Sequence, residues 1–454
     1  MTKKIVWFVL TMVWCAIQMH AQEDIVRCAT EEVNEYLRKK YPTRGETKDH
    51  FETWLTATMR KNASSRTTDK EYLIPTIIHI IHKGESVGIG YNIPYAQVLS
   101  QIQVLNEDFN RRNADTVKTP DVFKKVADAL PIRFILADKN PNGEELVEKG
   151  VNRIRGEREI YTNIQLIEEI IKRHMWDPRK YFNIFVAHVV REGSTSSLLG
   201  FAFYPQSSGL KGIENDPIVK PDDISREEID GVVIGTKYFG SNYTQHGKNF
   251  DIRGPFDAGR TATHEVGHWL GLRHIWGDGF SCTNDDFCDD TPAVFTHHDR
   301  YGVKETCKFP GPNQCYSFMP NDLPDMFQNY MDYTADSCMN LFTKCQVARM
   351  KVVLENSPRR KELTTNADLV TSLTEEETKN IAIFPNPTQK NVFVSFPTIS
   401  LPAQICLLNQ LGQVLASWQT TNTLVIDLEH HPEGIYFLQI TLNGQIVTKK
   451  ILKW

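Results

Sequence analysis

The sequence has no apolar run of membrane length. Its longest N-terminal stretch, Ile5–Ile17, falls short of the ~20 residues that a bilayer-crossing helix needs, and no second run of that kind follows. That argues against a helical membrane protein. A basic stripe is also missing, as is any interleaving of basic and aromatic residues. The formal net charge is −5 over 454 residues, with both signs mixed throughout, which speaks against nucleic acid as a partner. What the N-terminus does have is Lys3 and Lys4 ahead of the short apolar stretch, the pattern of a cleaved signal peptide over 1–21. Met19 departs from the small-residue rule at the cut, so the bond itself is not fixed by pattern. Export is expected, and export permits disulfides.

Cysteine usage agrees. Cys15 leaves with the signal peptide, and Cys282, Cys288, Cys307, Cys315, Cys338 and Cys345 crowd into one loop-rich region. Six cysteines allow fifteen pairings, and sequence alone does not choose among them. Cys28 and Cys406 are left over.

The segment His264-Glu265-Val-Gly-His268-Trp-Leu-Gly271-Leu-Arg-His274 carries the chemistry. Two histidines four residues apart share one face of a helix, so both can reach one zinc ion. Gly271 can adopt a left-handed conformation, end the helix and bring His274 back as third ligand. Three protein ligands leave a fourth position for water and substrate, the arrangement of a catalytic site. Glu265, beside the first ligand, is placed to act as general base on the zinc-bound water. A bare His-Glu-x-x-His arises by chance in a few chains per hundred, roughly; requiring Gly271 and His274 as well removes most of that background. His79, His82, His188, His246, His297 and His298 lack ligand spacing to this set and read as ordinary satisfied or solvated histidines.

This extended signature resembles that of the metzincin metalloproteases, which follow it with a methionine turn. Asn329-Tyr330-Met331-Asp332-Tyr333 matches such a turn. The resemblance implies that Met331 floors the histidines and that Tyr333 contacts the reaction intermediate. Tyr91–Gln97, Phe182–Ala187, Asp230–Ile234, Asp289–Pro292 and Asp325–Tyr333 narrow it to the pappalysin family, in particular its ulilysin-like members, over roughly 70–350. The implied fold is an α+β metzincin catalytic domain over 67–358: a twisted, mixed five-stranded sheet with helices above an irregular, disulfide-held lower subdomain. The implied bridges are Cys282–Cys315 and Cys307–Cys338, leaving Cys288 with Cys345. The family also carries calcium near its Asp-Thr-Pro segment. Here Asp285, Asp286, Asp290 and Thr291 offer hard oxygen donors of the kind calcium prefers; a solvated acidic loop is the alternative. Ulilysin-like enzymes place an acidic residue past the methionine turn, at the bottom of the pocket for the residue after the cut. Asp336 is the only carboxylate within Tyr333–Cys338, so cleavage before Arg or Lys is expected, with a loop cap or calcium ligand as the other role for Asp336.

Residues 22–66 are rich in charge and poor in aliphatics, with an amphipathic helix over Glu31–Tyr41 and an exposed linker over Arg60–Arg66. Arg27-Cys28 resembles the latency motif of pappalysin-type zymogens, whose thiolate takes the open zinc position and displaces water. The alternative for Cys28 is a disulfide with Cys406 or a spare thiol. Strands are expected over Leu73–Ile81, Pro131–Leu136, Asn183–Ala187 and Gly231–Ile234, and helices around Val98–Phe109, Ile164–His174 and Thr343–Leu354. A polar stretch over 359–374 reads as a linker. Short alternating strands between Asn, Gly and Pro turns then indicate an all-β sandwich over 375–454, with Cys406 in its core. Pro385-Asn386-Pro387, Gly434-Ile-Tyr-Phe437 and a basic last strand ending Lys453-Trp454 resemble the sorting domain of type IX secretion cargo. The combined reading is a secreted zinc endopeptidase made as a zymogen, acting on proteins or peptides and delivered by secretion machinery to the medium or outer cell surface. Its rivals are a catalytically silent surface adhesin and a zinc hydrolase of non-peptide amides.

Overall fold

The computed structural model describes residues 25–40, 48–62, 71–206, 229–298, 307–319, 322–365, 381–395, 403–420, 423–442 and 445–454. The signal peptide and most of the polar stretch before the sandwich lie outside them.

The chain opens with a short strand, β1 (Ile25–Val26), and two helices, α1 (Thr30–Lys40) and α2 (Lys48–Asn62). The expected helix is therefore present, but part of the expected linker, through Asn62, belongs to a helix that pattern reading missed. Next comes β2 (Tyr72–His82), whose near-continuous apolar run is buried on both faces, as a central parallel strand requires. Helix α3 (Tyr95–Phe109) backs it through Val98, Ile102, Leu105 and Phe109. Strands β3 (Ile132–Leu136), β4 (Val151–Arg155) and β5 (Phe182–Ala187) all run parallel to β2. β3 and β4 share one flank of it, pairing with successive halves of its length. The short β6 (Ser197–Leu198) pairs parallel with β1. β7 (Gly200–Ala202) closes the far edge antiparallel to β8 (Val232–Gly235), which lies parallel to β5. The sheet is of mixed direction, as expected, but has six strands rather than five, because β3 and β4 share one flank of β2.

Side chains alternate across this sheet with the period of two that strands impose. Phe182, Ile184 and Val186 join the core shared with α3 and the metal-motif helix, while Phe185 and Ala187 face the opposite core. Residues 163–174 cover that second face with Leu166, Ile167, Ile170 and Ile171, and α1 adds Val33 and Leu37 to it. Each such fully buried aliphatic contributes about 1.5–3 kcal/mol, so the N-terminal segment is part of the fold's packing. His79 behaves as a satisfied core histidine, bonded to Asn183 and Asn152 at 2.9 Å each, with burial depressing its pKa to about 3.

The metal-motif helix, α4 (Arg260–Trp269), packs under the sheet. The lower part is irregular and carries three disulfides, Cys282–Cys315, Cys288–Cys345 and Cys307–Cys338. It ends in α5 (Lys344–Asn356), entered through a reciprocal cap between Thr343 and Gln346.

The expected linker start at 359 is corrected here. Arg359 opens a helical turn, α6 (Arg360–Leu363), that belongs to the body. Arg360 pairs with Asp230 at 2.6 Å and lies over the Trp269 ring, 4.1 Å from its centre, while Leu363 is fully buried. A cation whose partner lies over a hundred residues earlier looks like solvated charge in a local window.

Beyond it, a three-stranded sheet (Ala382–Phe384, Asn391–Ser395, Leu424–Asp427) and a four-stranded one (Ala403–Leu408, Val414–Thr420, Gly434–Leu442, Gln445–Lys453) share one apolar core. Ile405 and Leu407 fill that core. Cys406 falls on the other face by alternation and is half-buried, so the core position expected for it is not observed. Among the described residues, no helix is long and apolar enough to cross a membrane.

Candidate active site

Helix α4 starts just after Gly259 and ends before Gly271, both at positive φ (82° and 86°). A side chain is strained in that conformation, so the turn that returns His274 to its partners depends on glycine. The Nε2 atoms of His264, His268 and His274 converge, at 3.2 Å (264–268), 3.1 Å (264–274) and 2.9 Å (268–274). Each Nδ1 faces an acceptor: the Tyr330 carbonyl, the Leu272 carbonyl and the Asp278 carboxylate. With the ring proton donated there, three Nε2 lone pairs meet at one point and repel unless a cation lies between them. A tetrahedral ion with ligands at ~2.1 Å needs donors roughly 3.3–3.4 Å apart. The donor set fits zinc.

Burial, and then the neighbouring rings, hold His264 and His268 well below the usual histidine range, in the neutral form that ligates. Glu265 is fully buried beside them. Burial raises its pKa to about 8, while hydrogen bonds from Thr30 and Cys28 and the charge of Arg27 work the other way. Gly200 lets β7 pass close: a Cβ there would stand 2.8 Å from Glu265 Cγ. Met331 is fully buried beneath α4, and a Cβ on Gly267 would come within 2.5 Å of its sulfur. The glycine inside the motif is therefore the space that the methionine turn fills. Tyr333 packs its ring 5.6 Å from His264 and 5.0 Å from His274, with the Cys28 thiol close to its hydroxyl.

The N-terminal segment closes the site. Cys28 Sγ lies with the three histidine nitrogens in one cluster whose atoms are all within 4.8 Å of one another. The thiol is 3.5 Å from Glu265 Oε2 and 3.1 Å from Thr30 Oγ1, which itself bonds Glu265 at 2.9 Å. One residue earlier, Arg27 Nη2 reaches Asp336 Oδ1 at 3.2 Å, with its guanidinium over the Phe256 ring. Asp336 Oδ2 accepts from the amides of Ala258 and Arg260 at 3.1 and 3.0 Å, at the start of α4. Asp336 thus faces a cation and caps the metal helix at once. Sequence reading found Asp336 and the Arg27-Cys28 motif but not that Arg27 pairs with Asp336, and it missed Thr30, Asp278, Gly200 and Gly267, whose roles depend on contacts between distant segments.

The acidic loop is only partly a cluster. Asp286 Oδ1 accepts from Thr291 Oγ1 at 2.9 Å and from the Cys288 amide at 3.1 Å, while its buried Oδ2 has no protein partner. Burial lifts its pKa to about 7. Asp290 accepts from the Cys345 amide at 2.9 Å and leaves its Oδ1 without a partner. Asp285 instead makes a local turn with the Phe287 amide. Cys288 and Cys345, though close to Asp290, are tied in a disulfide and cannot ligate as thiolates.

Comparison with known proteins agrees with this geometry. A family model described as pregnancy-associated plasma protein-A matches residues 165–355, and one for a secretion system C-terminal sorting domain matches 382–453. The solved structure of mature mirolysin from Tannerella forsythia, in complex with a cleaved peptide, is 37% identical. The match covers 67% of this chain and 99% of that one, with a TM-score of 0.53. A promirolysin mutant from the same organism is 34% identical over 76% of this chain and 99% of its own, with a TM-score of 0.57. An extracellular metalloprotease of Arthroderma benhamiae is 33% identical over 175 residues, 38% of this chain and 46% of that protein. The chain thus spans about half the length of the curated relatives it matches. With a 37% identical structure matched over 99% of its length and the three-histidine site assembled on α4, the chain belongs to the pappalysin family of metzincin metalloproteases.

Proposed function

We propose that this chain is a secreted zinc endopeptidase made as a latent precursor, and that it cuts before Arg or Lys. One observation carries the reading: Arg27 and Cys28, adjacent in sequence, occupy the Asp336 pocket and the fourth side of the histidine cluster together. The segment lies where a substrate with a basic residue would lie.

Zinc, when bound to His264, His268 and His274, supplies a Lewis acid that acidifies water and polarises a carbonyl. Glu265 takes the proton of the attacking water and passes it to the leaving amine. Thr30 and Cys28 contact its Oε2 now and must leave before it can serve. The Tyr333 hydroxyl, freed from Cys28, donates to the carbonyl oxygen as negative charge develops there. Asp336 holds the guanidinium or ammonium of the residue after the cut. The partnerless oxygens of Asp286 and Asp290 support calcium in the lower loop. The junction bond Ser65–Arg66 fits the proposed preference but lies outside the described residues. Arg60–Lys61, in the last turn of α2, must unwind first. The C-terminal sandwich engages the secretion machinery.

Activity on casein with and without a chelator, followed by peptide-library profiling, tests this. The matured enzyme should lose all cleavage on zinc removal and regain it on zinc addition. Asp336→Asn should lower turnover of substrates with Arg after the cut by about 10–100-fold, the scale of a charge-assisted hydrogen bond. A preference for large apolar residues there, unchanged by the substitution, would overturn the pocket assignment.

A further inference from the structure

The N-terminal segment has a second anchor, separate from its Arg27 and Cys28 contacts. Glu52, on α2, is buried, and its two oxygens are shared between two guanidiniums: Oε1 accepts from Arg273 Nε at 2.8 Å and Oε2 from Arg349 Nη2 at 2.6 Å. Both arginines are buried, at 3% and 0% exposure. Arg273 also takes Glu31 of α1 at 2.9 Å and lies over the Tyr204 ring. Arg349 also donates to the Gly271 carbonyl at 3.1 Å and has no partner for its Nε and Nη1. Around this pair, Phe51 and Leu55 of α2 pack on Val352 and Val353 of α5.

Arginine does not shed its proton in proteins. If α2 departed, two buried guanidiniums on the catalytic body would lose their shared carboxylate, and an apolar patch would be uncovered with them. Departure would give up both charge-assisted pairings and return the apolar patch to water, so the body is built to retain this helix. We propose that Arg273 and Arg349 form a carboxylate receptor, distinct from the Cys28 and Asp336 contacts, whose partner is α2 of the same chain, and that it keeps the N-terminal segment bound after the chain is cut. The inference rests on reading 22–66 as a pro-segment. It makes activation two events, a cut and then a dissociation governed by Glu52.

The test uses the full-length precursor carrying Glu265→Ala, so that it cannot process itself, with a recognition sequence for an unrelated protease inserted between residues 62 and 71. After nicking, gel filtration follows the N-terminal fragment. It should stay with the body even when Cys28→Ala removes the thiol, and Glu52→Gln in that background should speed its release at least tenfold. Glu52 lies on the departing fragment and Gln keeps its shape, so the body's own fold is not at issue. Immediate release from the Cys28→Ala precursor, or equal release rates with Glu and Gln at 52, would overturn the receptor. A separate assay of the precursor with Glu265 intact addresses the pro-segment reading: full proteolysis while the fragment remains bound would sink that reading and leave the docking in place.

Discussion

Around α4, Arg260, Arg273, Arg349 and Arg360 are all buried against carboxylates, whereas among the described residues of 381–454 the buried polar side chains are Thr388 and Lys453. Lys453 meets only backbone carbonyls, those of Glu429 and His431. The two regions hold their shapes by different means. Alternating aliphatics suffice for the sandwich, where Val392, Val394, Ile405, Leu407, Leu438 and Ile440 interleave between two sheets. The body adds ion pairs that span long sequence separations and converge on the helix bearing the ligands. Such pairs add little net stability over apolar packing, yet breaking one is costly. They fix which segments meet, and a metal site with ligands on a helix and a following turn needs that.

The sharpest break is chemical and confined to the body. Glu265→Ala should keep zinc, measured by metal analysis, and lose at least about 10²–10⁴-fold in turnover, the usual contribution of a general base. Near-normal turnover would sink the mechanism. Next comes a matched pair of stability measurements by urea melting. Asp230→Asn leaves Arg359 and Arg360 without their shared carboxylate and should cost the body about 3–5 kcal/mol. Leu438→Ala in the sandwich should cost that unit about 2–4 kcal/mol and leave casein cleavage unchanged. If Asp230→Asn were neutral, the contrast between the regions would fail. Gly267→Ala should cost about 1–3 kcal/mol by pressing on Met331, with weaker zinc retention in competition with a chelator.

The smallest expected effect is pH-dependent. Asp286 has a folded pKa of about 7, above the ordinary ~3.9. Its contribution is fully present when it is protonated in both states, below about pH 4, and is lost as pH rises through 7. Calcium should therefore raise the melting temperature by a few degrees at pH 8 and by less at pH 5, on the scale of about 1 kcal/mol. Equal shifts at both pH values would remove Asp286 from the cation site.

Local pattern revealed the parts of the fold governed by short-range physics. The ligand spacing on α4, the positive φ of Gly271, the apolar run of β2 and the alternation of the sandwich strands all lie within windows of a dozen residues. Pattern also offered Asp336 and Cys28, through resemblance rather than spacing. It missed α2, whose Phe51 and Leu55 are outnumbered by charge, and it read Arg359 and Arg360 as solvated. In both cases the deciding partner is remote: α5 for the helix, Asp230 for the arginines. Gly200 and Gly267 were mute for a related reason, since the space a missing side chain leaves open is legible only once its neighbour is known.

Asp336 ties two tasks to one side chain: Oδ1 takes the cation and Oδ2 clasps the amides that begin the metal helix. On the proposed reading of this pocket, recognition and catalysis share a single fixed reference point, and neither can drift without the other. A relative that exchanged this carboxylate for a new preference would loosen its own ligand helix in the same step. Changes of taste in such an enzyme are cheaper at the pocket's walls, for instance at Phe256, than at its floor.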